Sequence, residues 1–275
     1  MVPFLCTVRG CGKKLRNRDR CLVCSRGHSF DVAATGYVNL LGPQDRRSRH
    51  PGDSRETALA RRRLFDGGHD DGMRDEILAE LDALRGVGGR ANVLDIGCGE
   101  GSLLGSIQRA RPIGAHGIDI SVPSIEMAAK RFPEATWVVG NADRFLPWPG
   151  GAFDFVSSVT ARRNGPEWKR VLKPRGRVLL AIPGPDDLTE LREAVLGRAE
   201  RRDRATAAIE ELRPDLALVS RRSVRKTVSL GAAGVADLLK TTYRGARFRQ
   251  RDRASALGPI NVTVAREILV FRIQN

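Results

Sequence analysis

The sequence predicts an α/β fold, a mostly parallel sheet covered by helices on both faces, with a small metal-binding module ahead of it. Three observations predict it. Short apolar strands alternate with helical stripes from residue 92 onward. A glycine-rich loop follows the first of these strands, and an acidic residue closes the second. Four of the five cysteines crowd into the first 24 residues. With 275 residues the chain can bury roughly 70–75% of the surface its unfolded form exposes, so the main core needs no disulfides.

The amino-terminal candidates are Cys6, Cys11, Cys21, Cys24 and His28, spaced Cys-x4-Cys-x9-Cys-x2-Cys-x3-His. Zinc takes four nitrogen and sulfur ligands in a tetrahedron, usually from two short knuckles. Cys6 and Cys11 make the first knuckle; the second is either Cys21 with Cys24 or Cys24 with His28. So small a unit has no core of its own, and the metal supplies its folding energy. Neighbouring Lys and Arg lower thiol pKa values and favour ligation. The expected organisation is a zinc-binding module over 1–34, a linker over 35–54 rich in turn residues, and a second domain over 55–275. Within the linker, Arg46-Arg47-Ser48-Arg49-His50 is a candidate phosphate contact or a solvated loop.

Beyond the linker, Glu56–Phe65 and Met73–Leu84 read as helices, the second with an apolar stripe at Ile77, Leu78, Leu81 and Leu84. Gly86–Gly89 ends it. Asn92–Ile96 is a buried strand, Ser102–Arg109 a helix, Ala115–Asp119 a strand and Ser124–Arg131 a helix. Thr136–Val139, Phe153–Ser157 and Arg177–Ile182 are further strands, with helical stretches between them.

The loop Gly97-Cys98-Gly99-Glu100-Gly101 carries the chemistry. Glycines at alternate positions let the backbone turn tightly and approach a ligand. Asp119, at the end of the next strand, is placed to accept both ribose hydroxyls of a nucleoside. The spacing is not the G-x-G-x-x-G of dinucleotide sites, and Asp95 directly precedes the loop. An acid there disfavours a pyrophosphate and suits S-adenosylmethionine, whose sulfonium and ammonium are cationic. After the third strand comes Gly140-Asn141-Ala142-Asp143, where an amide or acid can meet the adenine amino group; Asn141 and Ala142 are the candidates and Asp143 reads as a solvated loop residue. Cys98, between two loop glycines, reads as a packing residue.

Lys and Arg number 47 against 32 Asp and Glu, a net charge of +15. An anionic partner, nucleic acid above all, is the functional reading. Arg16, Arg18, Arg20 and Arg26 in the module, and Arg244, Arg247, Arg249, Arg251 and Arg253 near the carboxy terminus, form candidate contact surfaces. The longest clean apolar run, Val178–Ile182, is far short of the ~20 residues of a membrane helix. Met1–Cys6 lacks the basic start and apolar run of a signal peptide, so no membrane and a cytoplasmic location are expected.

Val93–Gly101 resembles motif I of class I methyltransferases, a Rossmann-like, mostly parallel, seven-stranded fold. The whole chain resembles the bacterial 23S rRNA (guanine-N1)-methyltransferases, a group with housekeeping and macrolide-resistance members. The resemblance rests on Cys24-x3-His28-Ser29-Phe30-Asp31, Gly36–Leu41, Pro51–Ser54, Ala60-Arg61-Arg62 with Gly68-His69, Arg170–Pro174, Pro183-Gly184-Pro185 and Asp237-Leu238-Leu239. It implies zinc on Cys6, Cys11, Cys24 and His28, which leaves Cys21 spare. It implies S-adenosylmethionine on Gly97, Gly99, Gly101 and Asp119, and methylation of N1 of a guanine in 23S rRNA. It leaves the oligomeric state open, a homodimer included. The chain departs from the family pattern at Asp70, at Arg175, and at Thr160-Ala161-Arg162-Arg163, where a base-lining pocket is expected. The catalytic residues are not identified; His69, Asp70 and Asp143 are candidates to take the N1 proton by chemistry alone. Two alternatives remain: methylation of a small molecule, and a non-catalytic RNA-binding relative.

Overall fold

The computed structural model describes residues 2–45, 50–84, 90–197, 201–242 and 257–274. The amino-terminal module is an antiparallel meander of β1 (Leu15–Arg18), β2 (Cys21–Cys24) and β3 (Ser29–Asp31). The two-residue turn joining β1 to β2 needs a left-handed residue, and Asp19 supplies it at φ 57°.

The main sheet contains β4 (Val38–Asn39), β5 (Asn92–Ile96), β6 (Gly114–Asp119), β7 (Thr136–Val139), β8 (Phe153–Val159), β9 (Leu172–Pro183), β10 (Leu216–Leu230) and β11 (Ile260–Ile273). Its order is β10-β11-β9-β8-β5-β6-β7-β4. Strands β4 to β9 pair in parallel, and β11 is antiparallel to both of its neighbours. From β5 the chain steps outward first through β6 and β7 and then, on the other side, through β8 and β9. That reversal opens a crevice at the carboxyl ends of β5 and β8, where ligands of open α/β sheets bind.

The sheet thus has eight strands where the resemblance implies seven. The addition, β4, comes from the segment read as a linker. It pairs Val38 with Val138 and Asn39 with Val139. Two residues are too few to show a period in sequence, and β4 exists because β7 offers it a free edge.

The helices are α1 (Arg55–Asp66), α2 (Asp71–Leu84), α3 (Ser102–Ala110), α4 (Val122–Arg131), α5 (Gly165–Val171), α6 (Thr189–Leu196), α7 (Arg204–Leu212) and α8 (Ala232–Thr242). Ser54 caps α1, its side chain accepting from the Thr57 amide. The strand period of two sorts neighbouring residues to opposite faces. Val93, Ala115, Phe155 and Leu179 pack with Met73, Ile77 and Leu81 of α2 and with α3 and α4. Leu94, Ile118, Val156 and Leu180 face the other way, toward Trp168 of α5 and Ala205, Ala208 and Leu212 of α7. That second face also takes up Phe4, Cys6, Leu15 and Cys24 of the module.

The module therefore roofs part of the sheet. The Phe4 ring lies 5.8 Å from that of Trp148. The Leu5 amide donates to the Pro147 carbonyl at 3.0 Å, and the Thr7 hydroxyl to the Leu40 carbonyl at 2.7 Å. Arg144 closes the seam, donating to the Thr7 carbonyl at 2.6 Å while pairing with buried Asp45 at 2.7 Å.

Candidate active site

A cleft of about 770 Å³ lies over the carboxyl ends of β5, β6 and β8. The glycine loop forms its floor. The Gly97 and Cys98 amides both donate to the Ile118 carbonyl, at 2.9 and 3.2 Å, which locks the loop to β6. Gly97 and Gly99 have φ of 73° and 56°, a left-handed backbone that favours glycine. A Cβ on Gly99 would meet nothing, so that stretch of backbone is open to a ligand. Gly101 has a different job. It does not line the cleft, and a Cβ there would lie 2.6 Å from Trp137 and 2.8 Å from Ala128. It allows α3 to pack closely on α4 and β7.

Asp119 ends β6 with one carboxylate oxygen accepting from the Gly99 amide at 3.0 Å and the other from the Ser121 amide at 2.8 Å. A carboxylate has about four lone-pair positions, so both oxygens keep a place for a further donor. Burial pushes its pKa up, against the pull of those two amides and of Arg61. Asp95 is buried on β5 and accepts from the Ser157 hydroxyl at 2.7 Å. Burial raises it to about 7; the Ser157 bond opposes the shift and the charge of Asp119 adds to it. Among the described residues neither carboxyl forms a salt bridge, and two such buried acids beside an open glycine backbone are a chemical fit to a nucleoside carrying positive groups.

Asn141 and Ala142 line the cleft as well. The Asn141 side chain is already used locally: its amide donates to the Asp45 carbonyl at 3.2 Å and its oxygen accepts from the Asp143 amide at 3.1 Å. At the end of β8, Thr160 takes φ 54°, unusual for a β-branched residue. Arg162 follows it to the cleft mouth, 3.5 Å from Asp143, while Arg163 turns away to Glu211 on α7.

Sequence reasoning missed one wall. Pro51, Gly52 and Asp53, from the expected linker, line the cleft. A Cβ on Gly52 would lie 2.6 Å from that of Ser121, and the Ser121 hydroxyl donates to the Asp53 carbonyl at 2.7 Å. Asp53 in turn pairs with Arg61 at 2.7 Å. Burial lowers the pKa of Arg61, although Asp119 and Asp70 oppose it. The Pro51–Ser54 match within the resemblance was the available signal; its turn composition hid it.

In the module, Cys6, Cys11, Cys24 and His28 bring one ligand atom each within 4.8 Å of one another. Cys11 and Cys24 sulfurs are 3.8 Å apart, and His28 Nδ1 lies 3.3 Å from Cys6 and 3.4 Å from Cys24 sulfur. A zinc tetrahedron with bonds of ~2.3 Å to sulfur and ~2.0–2.1 Å to nitrogen has edges of about these lengths. Without a cation the thiols cannot all ionise. Burial pushes Cys6 up to about 12, reinforced by Cys11, whereas Cys24 falls to about 7 because amides of Arg26 and His28 outweigh its burial. Cys21 stands apart, donating to Asp31 at 3.5 Å.

Lys13, Lys14, Arg16, Arg18 and Arg20 are all exposed on this module. Arg46, Arg47, Ser48 and Arg49 lie outside the described residues, as do Arg244, Arg247, Arg249, Arg251 and Arg253. No helix among the described residues is long and apolar enough to cross a membrane.

The fold and cleft define a class I methyltransferase. A methyltransferase-domain family profile matches residues 93–179, and a zinc-ribbon profile described as "RlmA, N-terminal" matches residues 4–49. A predicted methyltransferase of Bacillus halodurans superposes with a TM-score of 0.50 at 15% identity, over 71% of this chain and 97% of that one. The 23S rRNA (guanine(748)-N(1))-methyltransferase of Streptomyces fradiae is 35% identical over 80% of this chain and 78% of its own length. A predicted 23S rRNA (guanine-N(1)-)-methyltransferase of Bacillus subtilis is 33% identical over 90% of each chain. The chain belongs to the 23S rRNA (guanine-N1)-methyltransferase family.

Proposed function

We propose that this enzyme transfers a methyl group from S-adenosylmethionine to N1 of a guanine in 23S rRNA. The observation that carries the reading is the pairing, on one chain, of an acid-lined glycine cleft with a Cys3His module seated at the same sheet. S-adenosylmethionine supplies an electrophilic methyl carbon on a sulfonium. Gly97, Gly99, Asp119, Asp95, Asn141 and Ala142 hold it, with Gly101 shaping the loop. Zinc sits on Cys6, Cys11, Cys24 and His28 and holds the module's strands in place. The functional units are the module over 1–34, the joining segment over 35–54 and the methyltransferase domain over 55–275, acting in the cytoplasm.

N1 lies on the Watson–Crick edge, so a paired guanine is out of reach. The enzyme acts on a loop or extrudes the base. The exposed basic strand of the module grips phosphate beside the cleft, and much of the rate comes from alignment of N1 with the methyl carbon. Arg162 replaces an apolar lining with a donor that suits guanine O6 and N7.

Transfer of labelled methyl from S-adenosylmethionine to stripped 23S rRNA, with mass mapping of the product, tests this. One labelled guanine, blocked at N1, is expected; the position 748 named for the Streptomyces fradiae relative is the first to inspect. Label entering only a small-molecule extract would replace the RNA reading. A gain of macrolide tolerance on expression in a sensitive host tests the resistance role.

A further inference from the structure

The proposed reaction needs a group to take the N1 proton, and the cleft offers three candidates on its wall: His69, Asp70 and Asp143. Asp70 lies 3.8 Å from Arg266 and Asp143 lies 3.5 Å from Arg162. Each of these carboxylates already faces a cation, which competes with a substrate proton for its lone pairs. His69 differs. Its Nδ1 lies 2.6 Å from the Leu64 carbonyl oxygen, which can only accept. Nδ1 therefore carries the hydrogen, and in the neutral ring Nε2 holds a bare lone pair.

That Nε2 is shielded from water and has no hydrogen-bond partner among the described residues. Other buried polar atoms of the cleft without such a bond include Asp45 Oδ1 and Arg266 Nε, and each belongs to an ion-paired group. Among the buried polar atoms of the described cleft residues, His69 Nε2 is the basic nitrogen with neither a hydrogen bond nor an ion-pair partner. A desolvated lone pair costs ~1–3 kcal/mol unless a donor meets it.

The backbone holds the ring in place. His69 stands three residues past the end of α1, and its own amide donates to the same Leu64 carbonyl at 3.3 Å. Gly68 takes φ 76°, and its carbonyl accepts from Lys226 on β10 at 3.0 Å. The charged groups on and beside this segment are Asp70 and Asp71, Lys226 of β10, which pairs with Asp71, and Arg266 of β11, which faces Asp70 with Asp187 behind it; Arg61 of α1 lines the same cleft.

We propose that His69 is the general base: Nε2 accepts the N1 proton of the target guanine. The inference rests on the RNA reading above. The N1–H bond breaks with its proton passing to Nε2. The N1 electron pair forms the bond to the methyl carbon, and the carbon–sulfur pair stays on sulfur. The imidazolium then returns the proton to water.

Two measurements on the full-length zinc-loaded protein test this. Nitrogen NMR of protein labelled in its four histidines should show the His69 ring protonated at Nδ1 and bare at Nε2; the opposite tautomer overturns the proposal. His69→Asn keeps a donor for the Leu64 carbonyl and removes the base. Its kcat on stripped 23S rRNA should fall ~10²–10⁴-fold, with S-adenosylmethionine affinity unchanged. His69→Ala should regain activity with added imidazole. A kcat within twofold of the parent, loss of cofactor affinity in place of kcat, or a larger fall in kcat in Asp143→Asn than in His69→Asn overturns it. If the parent enzyme transfers no methyl to guanine N1, the RNA reading fails and the NMR result stands separately.

Discussion

The module and the far edge of the sheet carry similar runs of basic residues and use them differently. On β10, Arg221 pairs with Glu267 at 2.7 Å, Arg222 with Glu76 at 2.8 Å and also with Glu80, Arg225 with Asp186, and Lys226 with Asp71 at 3.6 Å. These cations are neutralised locally, and several of their partners lie on α2, so they tie the last strands to the helical layer. On the module, Lys13, Lys14, Arg16, Arg18 and Arg20 have no acidic partner within salt-bridge distance among the described residues. A net charge of +15 therefore does not spread evenly. Charge that is already paired offers little to a phosphate, whereas a small module with few carboxylates leaves its charge available.

The largest effect should come from the metal that builds the module. Cys24→Ser should lose zinc, whose apparent contribution in small zinc folds is ~10–16 kcal/mol. Because Phe4, Cys6, Leu15 and Cys24 share a core with Leu40 and Trp148, the loss should also loosen the sheet. Metal analysis and thermal melting read both, and Cys21→Ser should keep about one zinc. Equal loss in the two variants would contradict the ligand set.

Next in size is the cofactor cleft. Asp119→Ala should weaken S-adenosylmethionine by one to three decades, since charge-assisted hydrogen bonds contribute ~1.5–3 kcal/mol each. Calorimetry with unchanged affinity would remove Asp119 from the site. The cleft should also sense pH through Asp95. Burial raises this group to about 7, so the free protein takes up a proton there as pH falls, and affinity for a cationic ligand should drop about tenfold per unit below that value. The same shift makes the contribution of Asp95 to folding greatest below the ordinary carboxylate range and lost as pH rises through about 7. Asp95→Asn should flatten the pH dependence of binding.

The comparison of the two basic surfaces is sharpened by charge reversal. Changing Lys13, Lys14, Arg16, Arg18 and Arg20 to Glu should reduce the log–log salt slope of RNA binding by about 0.7 for each phosphate no longer neutralised. Cofactor affinity should hold. Reversal is a cleaner test than deleting the module, because deletion would uncover Val38, Leu40 and Trp148. The smallest effect belongs to β10. Arg222→Ala should leave the salt slope unchanged and cost only ~0.2–1 kcal/mol per half-exposed ion pair. A slope change there as large as that from the module would erase the distinction.

Much of the fold was legible because periodicity reports burial. Asn92–Ile96 and Thr136–Val139 match the observed strands residue for residue, and the starts and ends of the neighbouring helices differ by only one or two positions. β9 begins five residues before the expected Arg177, its first part reaching through Lys173-Pro174-Arg175, which has no apolar alternation. The glycine loop was legible too, since tight turning and open backbone leave glycines in the sequence. Gly101 misled: its sequence position matches a ligand-binding glycine, yet its neighbours are Trp137 and Ala128.

The sequence by itself determined the alternation of strand and helix, the loop after β5, the acid at the end of β6 and the crowd of ligands near the amino terminus. These are local properties, written in residue type and spacing. Spacing left Cys21 and His28 open until the resemblance favoured His28; only the tertiary structure decided that a two-residue strand extends the sheet, that Pro51–Asp53 forms a cleft wall, and which cations are engaged in internal pairs. Each of these depends on groups far apart in the chain arriving within a few ångströms, and spacing along the chain does not encode that distance.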